Sequence, residues 1–572
     1  MNATIRPTRS FDTDGRNTVT GPRGQRAHAA HLAQSDTLVR RFYAVTPGVW
    51  TLVGNGLSNQ TFVDAPDGII AIDTGESVQE MSEAMQELRA VTDRPVVAVL
   101  YTHFHYVNGT SAVLAERDGA AVPVHGHARI ATNLRRAAAE IGPTYGRGLV
   151  EQFAVSMPLD GPDGTVNVGL GHHYRNPAHA PFTPGHVPVT HPFDGACVLQ
   201  VAGLEVQVQP APSDADDSVT FWFPALGLAV HNLVWPVLFN VFAIRGEEYR
   251  DPRVMLQGLD HLLSLHASHL VATHGPPMSG ADDIERRVTR YRDSIQFLWD
   301  QTVRHTNRGA TGIDLAHDIR LPDLYDDDHI TSEYYGVTEH HVRQIRSGLF
   351  GFFDGDPANL FPLARADRAA RMIAGFGGRD TVRRQADAAL ADDDVRWAIE
   401  LMSWLVLVDD DPDDRRRLAA ALRTVAQRTS AANIRNWCIT RALELEGSLD
   451  NSRLYRHRIS ERQALAGPIE ASVTVLRVLL EPDAADGLDV RLGWRFADGT
   501  TTGLHVRNGI AAVTDGIVTD AMIACSPAAW AAVIGGRVAL STAIDAGDIV
   551  IEGDATTARR ALACFDVEGL QR

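Results

Sequence analysis

The sequence predicts an α/β chain: a four-layer αββα sandwich, then an all-α module, then a small α+β domain. Three observations carry this prediction. Between Val49 and Pro277, short apolar runs alternate with single amphipathic stretches and stop at turn residues. From Ala366 to Leu449 the apolar residues recur at three and four, the period of a helix packed on one side. Beyond Arg453, period-two stretches return between short helical ones. At 572 residues, 44% of them hydrophobic, the chain has enough apolar surface for three or four domains.

In the first region, Val49–Val53 and Gln60–Val63 read as strands around Gly54-Asn55-Gly56. Gly68–Ile72 is a buried strand ending in Asp73-Thr74-Gly75, and Ser77–Val91 is an amphipathic helix. Val96–Tyr101 is β-branched and apolar throughout, as a fully buried strand requires. A hairpin, a strand, a helix and a second strand in this order fit the αββα sandwich. Val122–His125 and Ala128–Ile141 continue as strand and helix. Gly142–Pro192 is rich in Gly, Pro and His without periodicity, and a loop of that length roofs a site or is disordered. Leu199–Pro210, Thr220–Phe223, Leu226–Val230 and Leu270–Thr273 return to strand patterning, with helices at Pro252–Leu265 and Ile284–Asn307. In the all-α module the helices are Arg368–Gly377, Thr381–Leu390, Val395–Val408, Asp413–Gln427 and Ala432–Leu445. In the last domain Ala471–Leu480, Pro527–Ile534 and Ala555–Phe565 are helical, and Val490–Phe496, Thr502–Val506, Ile510–Thr514 and Ile549–Glu552 are strands.

A net charge of -18 argues against nucleic acid, which needs a basic face. Four scattered cysteines lack metal spacing and read as free thiols of a reducing compartment. No secretory signal or apolar run of membrane-spanning length is present, so the expectation is a cytoplasmic protein with no membrane partner. The polar residues before about His31 are expected to be disordered or to order on a partner subunit.

The chemistry concentrates at strand tips. Val96–Tyr101 ends in Thr102-His103-Phe104-His105, and two histidines at i and i+2 past a strand can share one ligand. His231 and His274 repeat the pattern of an apolar run followed by His, so three tips converge on one rim. Asp214 lies in an acidic loop after a strand, where a carboxylate can join the imidazoles as ligand. Asp73 ends the strand expected beside Val96–Tyr101. His127, His172, His173, His186 and His191 are weaker candidates, better explained as structural or solvated residues.

Thr102-His103-x-His105 followed by Gly109 resembles the metal motif of the metallo-β-lactamase superfamily, with Val107 and Asn108 where that motif has Asp and His. Within it, Tyr334–Arg343 and Gly348–Leu360 resemble the alkyl sulfatases, as do Gly161-Pro162-Asp163-Gly164, Gly169–Gly171, Phe239-Asn240 and Ile244-Arg245-Gly246. The resemblance runs from about Val49 to the C-terminus. It implies a catalytic domain, a helical dimerisation domain and a sterol-carrier-protein-like domain. It also implies that Asp73 braces the metal loop, and that Asn240 and Arg245 grip the sulfate group. Two zinc ions serve that family. Here the first site keeps His103, His105 and Asp214, the bridging carboxylate falls near His231, and the distal histidine is His274. The second site loses its motif ligands, since Val cannot bind a metal and Asn binds zinc poorly.

The resulting expectation is a metal-dependent hydrolase of a sulfate ester or related small anionic substrate. The alternative is a mononuclear metalloenzyme redirected to a redox or lyase step on a small metabolite. One divalent metal per chain is expected, zinc first, with iron, manganese or copper as alternatives, and the assembly is a homodimer. The domains are an arm at 1–45, the catalytic domain at 46–310, the helical domain at 311–455 and the C-terminal domain at 456–572.

Overall fold

The computed structural model describes residues 10–138 and 140–571. Two sheets form the sandwich. The first has seven strands in the order Arg41–Thr46, Val49–Val53, Gln60–Ala65, Gly68–Ile72, Val96–Leu100, Val124–His127 and His191–Phe193. The last four of these run parallel, and their apolar runs follow from burial on both faces. The second sheet has six strands: Cys197–Val201, Leu204–Pro210, Val219–Phe223, Leu228–His231, His269–Ala272 and Met278–Ser279. Ile70, Ile72, Ala98 and Leu100 of the first sheet pack on Val206, Val219, Phe221, Val230 and Val271 of the second. Outside the first sheet lie helices Val78–Arg89 and Thr110–Glu116; outside the second lie Pro252–Ser264 and Ala281–Thr306. Ser77 caps the first of these helices by accepting the Glu80 N–H, and Asp251 caps the third.

Four readings need correction. The single strand expected at Leu199–Pro210 is a hairpin, turned by Ala202 and Gly203 with φ of 50° and 84°. Part of the long loop after Gly142 is a helix, Gly142–Gln152, which three glycines conceal. Gly148 is needed there: a Cβ would stand 2.4 Å from the Arg245 carbonyl oxygen. Thr338–Phe350 is also a helix, inside the aromatic, Gly-rich stretch. The N-terminal arm, described from Ser10, is ordered on its own chain. The Asp12 N–H donates to the Arg428 carbonyl at 2.9 Å, and Arg26 N–H to Pro162 at 3.0 Å.

The chain divides into two compact units, residues up to Ala131 with Gly148–Asp450, and Thr132–Arg147 with the residues from Asn451 on. The helical segment is therefore continuous with the sandwich. Its five helices are Arg365–Gly375, Arg379–Ala391, Val395–Val408, Pro412–Arg428 and Ala432–Leu445. Ala432 N–H donates to Tyr334 and Asn433 N–H to Tyr335, in the segment that leads to the site. Leu315, Ile319, Tyr335 and Val342 join the same core as Trp235, Phe239, Leu259 and Leu298.

The second unit holds a five-stranded sheet: Ile510–Thr514, Thr501–Arg507, Asp489–Phe496, Ala521–Cys525 and Ile549–Gly553. Trp494 and Trp530 meet edge to face at 5.5 Å in its core. No helix among the described residues is long and apolar enough to cross a membrane.

Candidate metal and anion site

The site begins with Asp73, one residue past strand Gly68–Ile72. Its φ of 56° is left-handed, which Asp tolerates better than most residues. That conformation aims the carboxylate at the next strand tip. Oδ1 accepts the Thr102 N–H at 2.9 Å and Oδ2 the Thr102 hydroxyl at 2.7 Å. Burial lifts the Asp73 carboxyl to about 6.

The Thr102 hydroxyl has one proton, and it goes to Asp73. The 2.9 Å contact between Thr102 Oγ1 and His103 Nδ1 must then be an N–H donated by the imidazole. This assigns the His103 tautomer and leaves its Nε2 lone pair facing inward, 3.5 Å from Asp214 Oδ2. His105 Nδ1 lies 2.8 Å from the same oxygen, while its Nε2 faces Glu247 Oε1 at 3.5 Å. His274 donates its Nδ1–H to the Leu57 carbonyl at 2.9 Å, so its Nε2 is the lone-pair nitrogen, 3.3 Å from the Tyr106 hydroxyl. The outer nitrogens of His103 and His274 thus donate to an oxygen, and His103 and His105 each bring a nitrogen to the same Asp214 oxygen. Metal-ligating histidines have this arrangement.

His103, His105 and Asp214 offer ligand atoms within 4.8 Å of one another, and they form a group that can hold a metal ion. The donor set of two imidazoles and a carboxylate suits a divalent cation, which draws its ligands in to about 2.0–2.2 Å. Without one, the three behave as an ion-pair network. Burial opposes charge on His105, but Asp214 and Glu247 outweigh it and raise the imidazole to about 9. Burial likewise opposes charge on Asp214, yet Arg250 and His105 hold it well below the usual carboxylate range. Arg250 pairs with Asp214 Oδ1, donates to the Asn240 carbonyl at 2.7 Å, and lies over the Trp235 and Phe239 rings.

Of the expected residues, His103, His105 and Asp214 come together, and His274 stands beside them. His231 stands outside the group. Its Nδ1 accepts the Leu233 N–H at 2.9 Å and the Val234 N–H at 3.3 Å, so it closes a turn, and burial holds it neutral with a pKa of about 3. The next residue faces the site instead. The Asn232 amide nitrogen lies 3.4 Å from both His103 ring nitrogens, and its oxygen accepts the Trp235 indole N–H at 3.1 Å. Val107 is buried and bridges Gly75 through backbone, and the Asn108 N–H donates to the Gly75 carbonyl at 3.1 Å. Neither offers a strong ligand, and Asn232 adds only an amide.

Arg245 is buried and donates to Glu247 Oε1 at 2.9 Å, with Asp214 Oδ1 at 3.9 Å. Glu247 was missing from the sequence reading, although an acid two residues from a candidate anion-binding Arg is a visible signal. Burial would raise its carboxyl, but Arg245 and His105 bring it down to about 2. Asn240 is fully buried, and neither its amide nitrogen nor its oxygen has a hydrogen-bond partner. It faces Gly336, where a Cβ would stand 2.4 Å from the Asn240 Oδ1.

Comparison with known proteins places the chain in a family. Residues 311–448 match the family model described as alkyl sulfatase dimerisation, and 460–569 match that described as alkyl sulfatase C-terminal. A linear primary-alkylsulfatase of Pseudomonas sp. is 32% identical over 524 residues, covering 88% of this chain and 98% of the relative. An (R)-specific secondary-alkylsulfatase of Pseudomonas sp. is 26% identical, covering 92% of this chain and 80% of the relative. The solved structure of a stereoselective inverting sec-alkylsulfatase from Pseudomonas sp. superposes with a TM-score of 0.84 at 23% identity, covering 94% of this chain and 87% of that one. The chain belongs to the alkylsulfatase family.

Proposed function

We propose that this protein is a metal-dependent hydrolase of alkyl sulfate esters that works with one divalent cation, zinc first among the candidates. The observation that carries the reading is the convergence of His103, His105 and Asp214 beside the buried Arg245. His103, His105 and Asp214 would hold the ion, with His274 as the candidate further ligand. A divalent cation there supplies Lewis acidity and lowers the pKa of water toward neutrality.

The chain's own residues do the rest. Asp73 and Thr102 fix the His103 tautomer. Arg250 balances the charge of Asp214. Arg245 supports an anion seat, because its planar fork can donate two hydrogen bonds to a sulfate group. Asn240, with an unpartnered buried amide nearby, can add a further donor. Among the described residues His103, His105 and Asp214 are the one group that could hold a metal ion, and Val107, Asn108 and Asn232 add no strong ligand. This favours a single ion over a pair.

A second copy of the chain is the proposed partner. The dimerisation match spans 311–448, and within it Phe352 and Phe361 are 86% and 83% exposed. Aromatic side chains that open to solvent mark a surface made to be covered. The function is tested by incubating metal-loaded protein with medium-chain alkyl sulfates and measuring sulfate by ion chromatography. Release above the chelated control is expected; none with any of zinc, manganese or iron refutes the reading.

A further inference from the structure

The carboxylate of Glu247 occupies the guanidinium that the hydrolase reading gives to the substrate. Arg245 Nη2 donates to Glu247 Oε1 at 2.9 Å, and both side chains are nearly closed to solvent, at 6% and 8% exposure. The same carboxylate faces His105 Nε2 at 3.5 Å. It therefore touches the anion seat on one side and the ion-binding group on the other. A carboxylate and a sulfate group present the same chemistry to a guanidinium: negative oxygens spaced for its fork. They compete for it, because two anions at contact distance repel.

Local structure permits an exchange. Arg245-Gly246-Glu247 lies outside any helix or strand, and Gly246 has a left-handed φ of 91° with open space where a Cβ would be. Glu247 can leave by side-chain rotation alone, with no regular element to unfold. Asp214, which also faces Arg245, cannot yield in this way, since Arg250 and both histidines hold it.

We propose that Glu247 is an internal occupant of the anion seat, displaced by the sulfate group of an ester and returning to expel inorganic sulfate after hydrolysis. It is a specificity-determining residue. A small anion must displace it unaided and binds weakly, whereas an ester adds the burial of its alkyl chain. Repulsion of the wrong ligand is a recognised route to specificity. This inference rests on Arg245 as the sulfate grip.

The test is calorimetric titration of inorganic sulfate into the full-length chain as purified, and again after chelation. Glu247→Gln keeps the shape and removes the charge. It should bind sulfate at least ten-fold tighter than the unsubstituted chain in both preparations, while Glu247→Asp, which keeps the charge, stays within about three-fold. Glu247→Ala reads the same quantity should Glu247→Gln not fold. In turnover, Glu247→Gln should be inhibited by sulfate at ten-fold lower concentration. Sulfate affinity within two-fold of the unsubstituted chain, or a gain that survives in the Arg245→Ala background, overturns the proposal. Titration needs no turnover. Tighter sulfate binding in a protein that hydrolyses nothing supports the exchange and refutes the hydrolase reading; turnover with unchanged sulfate affinity refutes the exchange alone.

Discussion

Thr102→Val isolates the brace behind the metal group. The substitution exchanges a hydroxyl for a methyl group of nearly equal size, so packing at the strand tip is kept. Two hydrogen bonds disappear: the 2.7 Å bond donated to Asp73 Oδ2 and the 2.9 Å bond accepted from His103 Nδ1–H. Asp73 retains the Thr102 N–H at 2.9 Å, so its carboxylate is half-satisfied and not abandoned. A hydrogen bond to a charged group contributes about 1.5–3 kcal/mol, and a stability loss of about 2 kcal/mol is expected. The larger consequence falls on the ion. Without the Thr102 acceptor, nothing fixes which nitrogen of His103 carries the proton, and part of the population presents N–H to the ion. Loss of such an outer partner lowers metal affinity about 10–100-fold. Competition with a chromophoric chelator measures the affinity, and Thr102→Ser, which restores the hydroxyl, should recover most of it. Zinc affinity within two-fold of the unsubstituted chain would show that the Asp73–Thr102–His103 relay orients nothing.

Three further outcomes follow from the same geometry. Arg245→Ala should lower kcat/KM for an alkyl sulfate by at least 30-fold, since loss of a buried charged pair costs about 2–5 kcal/mol; turnover within two-fold removes Arg245 from the anion seat. Burial holds His31, His231 and His341 at about 3 and His274 at about 4, below the unfolded value of 6.5. Their neutral forms stabilise the fold above pH 6.5, and that contribution is lost as pH falls toward 4, so thermal melts should decline over this window; a flat melting temperature from pH 6.5 to 4 contradicts it. Phe352→Ser combined with Phe361→Ser should shift the chain from dimer to monomer at micromolar concentration in light scattering, and a dimer of unchanged strength places the interface elsewhere.

The sandwich was legible because its central strands are buried on both faces and read as unbroken β-branched runs, as at Val96–Leu100. The helices of the all-α module were legible because apolar residues recur at three and four, as on Val395–Val408, which coincides with the residues expected; Ala432–Leu445 also coincides, although it is buried on more than one side. Other elements carried no periodic signal. Leu233–Ile244 is apolar and largely buried but has neither helix nor strand, so neither period applies. Gly142–Gln152 holds together through packing at Gly148, against its own propensity. The site shows the same division. Adjacent histidines at a strand end, and an acid in the next loop, can be read from spacing. Which residue at the end of Leu228–His231 faces His103 cannot, because one step along the chain separates a turn-closing His231 from a site-facing Asn232. Glu247 was legible only in part: an acid two residues from Arg245 is a visible signal, but its contacts with the Arg245 guanidinium and His105 form only in the folded loop.

The central claim is that one ion at His103, His105 and Asp214 drives sulfate-ester hydrolysis. The most direct measurement is a stepwise titration of metal-free protein with zinc, following bound metal by plasma emission and sulfate release from decyl sulfate in the same samples. Activity should rise linearly to one equivalent per chain and then level, and His103→Ala should retain less than a tenth of either signal. Two equivalents retained after desalting, with activity appearing only beyond the first, would contradict the single-ion account and restore a two-metal mechanism.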